Sequence, residues 1–205
     1  YAIYNNVRTE DYNELLDLSV RLLSEGEVIA AKGIGGYHLI CDALNDRAVT
    51  RLRMIKQRDG KPFAVMFRDM EQLKQYVEVN PVEEDCLLSW RRPIVLLKQK
   101  RRLAADINPD MQTLGCMLPY MPLHYDWFAA LGTPALVMTS GNLSDRPIAI
   151  TPAEAEEQLS GKVALLLHHN RDIHNRVDDS VLQVCGDQPC LIRRSRGYVP
   201  EPFFA

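Results

Sequence analysis

Residues 27–41, EVIAAKGIGGYHLIC, contain two short apolar runs separated by a glycine-rich loop. Each apolar run has the length of a buried strand, and Gly33, Gly35 and Gly36 lie in the loop between them. Closely spaced glycines expose backbone N–H groups to an anion and let a ligand approach the chain. The loop is neither a GxGxxG dinucleotide motif nor a Walker A loop, because no Gly-Lys-Ser/Thr follows. A tight turn between two strands is the alternative explanation.

Helical and strand patterns alternate along the rest of the chain. Further helices are predicted at residues 11–25, 45–56, 69–77, 80–90, 122–131 and 151–160. Further strands are predicted at residues 63–67, 93–98, 135–139, 163–167, 180–184 and 190–194. Only the last two strands are expected to pair as a hairpin, and the polar residues 98–112 predict a mobile loop. This alternation predicts one α/β domain over residues 1–205, with a mixed twisted sheet flanked by helices.

The composition restricts the classes of function. The chain has 24 basic and 27 acidic residues, and a net charge of -3 argues against a dedicated nucleic-acid binder. Its five cysteines include no Cys-x-x-Cys pair, so no zinc site is predicted, and reduced thiols predict the cytoplasm. No apolar run has the length of a membrane span. Because the chain begins at Tyr1, we expect it to be a piece of a larger protein.

Two polar segments are candidates for ligand binding. Lys56, Arg58 and Lys61 form a basic stretch that suits a polyphosphate, although a solvated helix end explains it as well. Ser140 and Asn142 follow an apolar strand, where they could bind a ligand or form an ordinary turn. When each segment is considered alone, the explanation without a ligand, a solvated helix end or an ordinary turn, is favoured.

Other polar residues give weaker signals. The histidines at 168, 169 and 174 have no spacing typical of a metal site, so they predict a polar loop and no metal ligand. Cys41 and Cys116 have no base partner visible in the sequence, so packing explains them better than nucleophilic catalysis does.

Taken in chain order, the two candidate segments resemble the YrdC-like family. Lys-x-Arg at 56–58 and Ser-x-Asn at 140–142, with Lys-Pro at 61–62 between them, look like the family's Lys-x-Arg and Ser-x-Asn tetrad, and the resemblance extends over about residues 26–197. In that family the tetrad lines a concave ATP site, so the resemblance implies a YrdC-like concave fold. It assigns to the ATP site the residues Lys56, Arg58, Lys61, Ser140, Asn142, Ser180, Arg194 and Arg196.

Departures from the general family pattern indicate a subfamily. The Pro-Thr-Glu-Thr stretch that helps hold threonine is absent, and Met117 replaces an arginine of the Gly-x-Arg-x-Pro segment. Both changes argue against threonine as a substrate. The segments 32–39, 113–115, 118–120, 139–144, 177–180 and 194–198 instead resemble HypF, the carbamoyltransferases of nickel–iron hydrogenase maturation.

The resemblance implies a reaction and partners. An upstream acylphosphatase and zinc-finger region would release carbamate from carbamoyl phosphate. In this domain carbamate would attack the α-phosphate of ATP, carried with Mg²⁺, and give carbamoyl-AMP and pyrophosphate. A downstream carbamoyl-transfer domain would pass the group to a maturation protein with a C-terminal cysteine. Lys56 and Arg58 are the predicted catalytic residues, and the residues assigned to the carbamate loop are Gly33, Gly35, Gly36 and His38.

Three alternatives remain at this point. The chain could resemble an antibiotic carbamoyltransferase or a threonylcarbamoyl-AMP synthase, which share the domain or the fold. It could also be a double-stranded RNA-binding module, but duplex binding needs a strongly cationic face and the net charge is negative.

As cations at a solvated helix end, Lys56 and Arg58 are each expected to contribute at most about 1 kcal/mol to folding.

Overall fold

The computed structural model describes residues 1–4, 7–57, 60–144 and 146–201. Within these ranges the chain forms six helices and one mixed sheet of eleven strands. The strands are β1 (Ala2–Tyr4), β2 (Val7–Thr9), β3 (Ile29–Lys32), β4 (Tyr37–Asp42), β5 (Ala64–Phe67), β6 (Ile94–Lys98), β7 (Thr113–Met117), β8 (Ala135–Ser140), β9 (Leu165–Leu167), β10 (Val181–Cys185) and β11 (Gln188–Arg193). The helices are α1 (Tyr12–Ser24), α2 (Asp46–Lys56), α3 (Met70–Tyr76), α4 (Pro81–Leu88), α5 (Pro122–Ala130) and α6 (Pro152–Leu159).

The strand order across the sheet is β11-β10-β6-β7-β5-β8-β4-β3-β9-β1-β2. The pairs β10/β6, β5/β7 and β3/β9 are parallel, and the remaining neighbours are antiparallel. The predicted α/β class with a mixed, helix-flanked sheet is therefore confirmed.

Side chains alternate between two apolar layers, one on each face of the sheet. On β4, Tyr37, Leu39 and Cys41 pack into the layer that α2, α3, α4 and α6 cover. Ile40 points to the opposite layer, which α1 and α5 cover. There the fully buried Trp127 donates its indole N–H to Ser19 Oγ at 2.7 Å, which joins α5 to α1. The period of two along each strand thus buries both faces.

Local capping residues set the helix starts as the sequence predicts. Asn45, Asn80 and Thr151 each accept a hydrogen bond from the backbone N–H three residues later. Asn80 and Thr151 complete capping boxes, and proline follows each of them in the first turn. Each cap satisfies N–H groups that the helix leaves unpaired.

Three expectations about the elements are wrong. Strand β7 lies between β6 and β5, where no strand was predicted. The glycine loop joins β3 and β4 as an antiparallel pair, so hairpins are not confined to the end of the chain. The predicted mobile loop at 98–112 is anchored: Ile107 is fully buried and its carbonyl accepts the N–H of Phe63 at 2.8 Å. The same segment also packs Ala104 into the core and donates the N–H of Ala104 to the carbonyl of Ala43 at 3.0 Å.

Candidate functional site

A pocket of about 370 Å³ opens on the sheet face that α1 and α5 partly cover. Its floor is formed by side chains from the central strands, and its walls by residues 177–179, Ile148 and Arg193. The volume lies in the range of small-molecule sites.

Small residues in the centre of the sheet create this depression. Gly115 on β7 pairs with Ala64 on β5 and with Leu96 on β6, and Ala64 also pairs with Met138 on β8. Because Gly115 and Ala64 add almost no side-chain volume, the middle of this row is low and its two ends are high. A Cβ at Gly115 would already lie 3.1 Å from Ile94.

A buried lysine, Lys56, contacts the pocket-lining Ser140 and its neighbour Asn142, and these three residues form the lysine rim beside the pocket. Lys56, the last residue of α2, is only 4% exposed, and its Nζ donates to the backbone oxygens of Ser140 and Asn142 at 2.8 Å each. It also contacts Asn142 Oδ1 at 2.8 Å and Ser140 Oγ at 3.3 Å. These four acceptors are neutral oxygens, and their contacts fix the orientation of the ammonium group.

Lys56 is therefore not the solvated helix-end cation that its sequence position predicts. Ser144 strengthens the same junction, since its hydroxyl donates to the carbonyl of Lys56 at 2.6 Å. Gln57 ends the helix in the left-handed region with φ 47°. The end of α2 and the loop after β8 thus form one unit, in which Lys56, Ser140 and Asn142 come together.

The glycine loop packs tightly against its own chain. The N–H of Gly33 donates to the carbonyl of Gly36 at 2.8 Å, and the carbonyl of Gly35 accepts the N–H of Val177 at 3.0 Å. A Cβ at Gly35 would lie 2.2 Å from the carbonyl oxygen of Val177, and one at Gly36 would lie 2.3 Å from Ile148. The glycines are therefore required for close contact between the loop and the pocket wall.

His38 follows the loop and lines the pocket. Its Nε2 lies 3.2 Å from Asp179 Oδ2, and the other oxygen of Asp179 accepts Arg196 Nε at 2.8 Å. Arg196 is anchored in turn by the carbonyls of Arg91 and Arg92, at 3.1 and 2.9 Å. The three side chains form a nearly buried network in the pocket wall, with exposed fractions of 11–14%.

Opposing effects act on the pKa of Asp179. Burial alone raises the pKa of this carboxyl, but the hydrogen bond from His38 and the Arg196 guanidinium outweigh burial. The net effect holds the pKa of Asp179 well below its usual range, so the group is a carboxylate at neutral pH.

The predicted residues near the end of the chain are engaged within the protein. Ser180 is fully buried; its hydroxyl donates to the carbonyl of Arg196 at 2.9 Å and accepts the N–H of Ser195 at 2.7 Å. Arg194 donates to the backbone carbonyl of Glu201. Their neighbour Arg193, rather than Arg194 or Arg196, lines the pocket.

Of the two other predicted cations, Lys61 is among the described residues and Arg58 is not. Lys61 is exposed just before the pocket-lining Pro62, and its carbonyl accepts Arg53 Nη1 at 3.2 Å. Arg58 lies outside the described residues, so its assignment stays a prediction.

Sequence reasoning missed the central role of Asp179. The segment 177–180 stands out in the sequence, but only Ser180 in it is assigned a role there. Two adjacent aspartates directly before a predicted strand were the available signal, because α/β proteins often place ligand-binding side chains in the loops at strand ends. The small floor residues Ala64 and Gly115 gave a weaker signal, since nothing in the sequence indicates which strands are neighbours.

Among the remaining histidines and cysteines, His168, Cys41 and Cys116 are buried. His168 Nδ1 lies 2.6 Å from the Tyr37 hydroxyl, and burial lowers the pKa of His168 to about 4. Cys41 and Cys116 are buried, and burial raises both thiol pKa values, which confirms packing as their role. In the described part of the chain, no helix is long and apolar enough to cross a membrane.

Comparisons with known proteins agree with this architecture. Residues 21–195 match the Sua5/YciO/YrdC family model, which carries the description "Telomere recombination". The carbamoyltransferase HypF of Rhodobacter capsulatus is 46% identical over 187 residues, which cover 91% of this chain and 25% of that protein. The chain thus spans about a quarter of the length of the curated relatives it matches.

Two solved structures are also similar. Full-length HypF in a phosphate- and nucleotide-bound form is 50% identical with a TM-score of 0.88, over 91% of this chain and 30% of that one. HypF of T. kodakarensis is 41% identical with a TM-score of 0.92, over 97% of this chain and 26% of that one. The chain therefore belongs to the Sua5/YciO/YrdC family, as a YrdC-like domain related to the HypF carbamoyltransferases.

Proposed function

We propose that the pocket binds ATP and that the domain catalyses the attack of carbamate on the α-phosphate, giving carbamoyl-AMP and pyrophosphate. The observation that carries this proposal is the buried ammonium group of Lys56, fixed on Ser140 and Asn142 at the rim of the pocket. The related full-length HypF structure is in a phosphate- and nucleotide-bound form, which supports the same ligand class.

The chemistry is substitution at phosphorus, in which positioning and charge stabilisation matter more than covalent catalysis. A preorganised cation aimed at the phosphates costs no reorganisation when the transition state forms. Lys56 fits this role because its contacts with Ser140 and Asn142 fix the position of its charge in advance. Arg58 and Lys61 are proposed to contact the phosphates and carbamate, and Arg193 is a further candidate because it lines the pocket.

Mg²⁺ is proposed to arrive on the triphosphate. Across the described ranges, no group of three or more His, Cys, Asp or Glu side chains is arranged to hold a metal ion. Mg²⁺ bound with a nucleotide usually keeps several waters and binds mainly through phosphate oxygens. When bound, the ion would neutralise phosphate charge, and Asp178 in the pocket wall could accept hydrogen bonds from its waters.

The larger reaction is also a proposal. Since the matched relatives are about four times longer, further domains on the same chain would supply carbamate and use carbamoyl-AMP. We propose the acylphosphatase and zinc-finger region as the source and the carbamoyl-transfer domain as the user. The acceptor would be a hydrogenase maturation protein with a C-terminal cysteine. The cytoplasm is the proposed location, because the five cysteines are unpaired.

Titration calorimetry with ATP and Mg²⁺ tests the site. Lys56→Ala and Asn142→Ala should each weaken ATP binding about tenfold or more, because each removes part of the preorganised rim. Lys98→Ala is the matched control, since this lysine is highly exposed on β6 and pairs with Glu78 at the surface. Equal affinities for the wild type and both rim variants would refute the assignment.

A further inference from the structure

The imidazole of His38 lies where the glycine loop, the pocket and the lysine rim meet. Strand β4 pairs with β8 so that His38 is directly opposite Ser140, one of the residues that Lys56 contacts. His38 lines the pocket while its side chain stays only 14% exposed. Any ligand group beside Ser140 therefore also lies close to this ring.

The network behind His38 fixes where its proton sits. Asp179 is a carboxylate that can only accept hydrogen bonds, and Arg196 occupies its other oxygen. The nitrogen that contacts Asp179, Nε2, must therefore carry the hydrogen and donate it. In the neutral ring this leaves Nδ1 as a hydrogen-bond acceptor.

The acceptor Nδ1 lies beside Gly33 of the glycine loop. Within the described residues, Nδ1 of His38 makes no hydrogen bond. It is also not one of the fully buried atoms that lack a partner, so it keeps some contact with solvent. A Cβ at Gly33 would lie 2.8 Å from Nδ1, so glycine at this position is what leaves the nitrogen uncovered.

We propose that His38 Nδ1 accepts a hydrogen bond from the amino group of carbamate, and that Asp179 and Arg196 are positioning residues that hold the ring in the accepting tautomer. This inference rests on the proposed function and adds to it how the substrate is selected. Carbamate and acetate have the same shape and charge, but only carbamate carries N–H donors. A site built around an acceptor disfavours the ligand that lacks the donor, because the acceptor is then left unpaired.

Another donor in the reaction could occupy the same nitrogen. The adenine of ATP also carries an amino group, whereas the phosphates offer only oxygens, which do not donate to Nδ1. The two N–H sources are distinguished by two pairs of ligands: carbamate against acetate, and ATP against inosine triphosphate, which lacks the amino group.

The test measures ATP–pyrophosphate exchange with freshly dissolved ammonium carbamate as the substrate and acetate as a competitive inhibitor. Carbamate then gives a KM and acetate gives an inhibition constant. In His38→Leu, KM for carbamate should rise about tenfold or more while the inhibition constant of acetate stays within about twofold. The preference for ATP over inosine triphosphate should not change. A shift in the nucleotide preference instead would assign Nδ1 to adenine and overturn the proposal.

Asp179→Asn tests the positioning role separately. Arg196 should retain the amide oxygen, so the new NH₂ group faces Nε2 and forces the ring hydrogen onto Nδ1. Carbamate should lose its advantage over acetate as in His38→Leu, although His38 is still present. The matched controls are Asp172→Asn and His174→Leu, which change exposed residues of the same types.

The outcomes separate the two levels of the argument. If the wild type shows no carbamate-dependent exchange, the adenylation itself is wrong. If the wild type is active and His38→Leu keeps its preference for carbamate, only the role of His38 is wrong. A variant that does not fold by circular dichroism is replaced by His38→Phe, which keeps an aromatic ring without an acceptor and must give the same loss.

Discussion

Replacing Lys56 by methionine should weaken both folding and ATP binding. Methionine keeps most of the length and apolar contact of the stem but removes the ammonium group. Ser140 and Asn142 then lose four contacts of 2.8–3.3 Å at a position that is only 4% exposed. This differs from the sequence expectation, in which a solvated cation contributes little to stability.

The magnitude follows from the partners that are left behind. The Ser140 carbonyl still accepts the N–H of Asn142 at 3.0 Å, so it remains partly satisfied. The Asn142 oxygens lose charge-assisted bonds, each worth about 1.5–3 kcal/mol, while the methionine avoids the cost of burying a charge. We therefore expect a loss of about 2–4 kcal/mol in the free energy of unfolding, which shifts the urea midpoint by about 1–2 M.

Urea unfolding followed by circular dichroism measures this loss, with Lys98→Met as the exposed control. Calorimetry on the folded variant should show weaker ATP binding as well. If Lys56→Met and Lys98→Met unfold at the same midpoint, the buried contacts do not stabilise the rim and the reasoning fails.

Three further outcomes are expected. Threonine should not be adenylated, because Met117 replaces the family arginine; threonine-dependent pyrophosphate release equal to that of a threonylcarbamoyl-AMP synthase would contradict this. Gly35→Ala should lose about 1–3 kcal/mol of stability in urea through its clash with Val177, whereas Gly132→Ala, with open space around it, should stay within about 0.5 kcal/mol. Because the folded-state pKa of Asp179 is depressed, its stabilisation is present above its unfolded pKa of about 3.9 and is lost as pH falls below it. The stability difference between wild type and Asp179→Asn should therefore shrink on acidification below about pH 4, and a constant difference would exclude this linkage.

Local signals in the sequence predict the helices well. The caps at Asn45, Asn80 and Thr151 bond to backbone groups only three residues away, so neighbouring positions in the sequence are enough to predict them. Strand β7 escaped prediction because Gly115 interrupts its apolar run and a polar loop precedes it. Its place is decided by β5 and β6, which no local pattern reveals.

The candidate site shows the same division. The ordered pattern of Lys56, Ser140 and Asn142 identifies side chains that the fold brings together across 84–86 positions of sequence. The pattern does not predict whether an individual side chain points into the pocket or into the protein. Ser180 and Arg196 turn into the protein because the segment after β11 packs beside them, and that packing is a tertiary event.

The position of β8 has a consequence for synthesis on the ribosome. This strand completes the middle of the sheet by inserting between β4 and β5, although it follows β5 by almost 70 positions in the chain. Until residue 140 has left the exit tunnel, the apolar edges of β4 and β5 have no partner, and they are open to pairing with other nascent chains. Productive folding should therefore begin late in translation, and a chaperone that shields extended apolar strands should raise the yield of this protein more than faster elongation would.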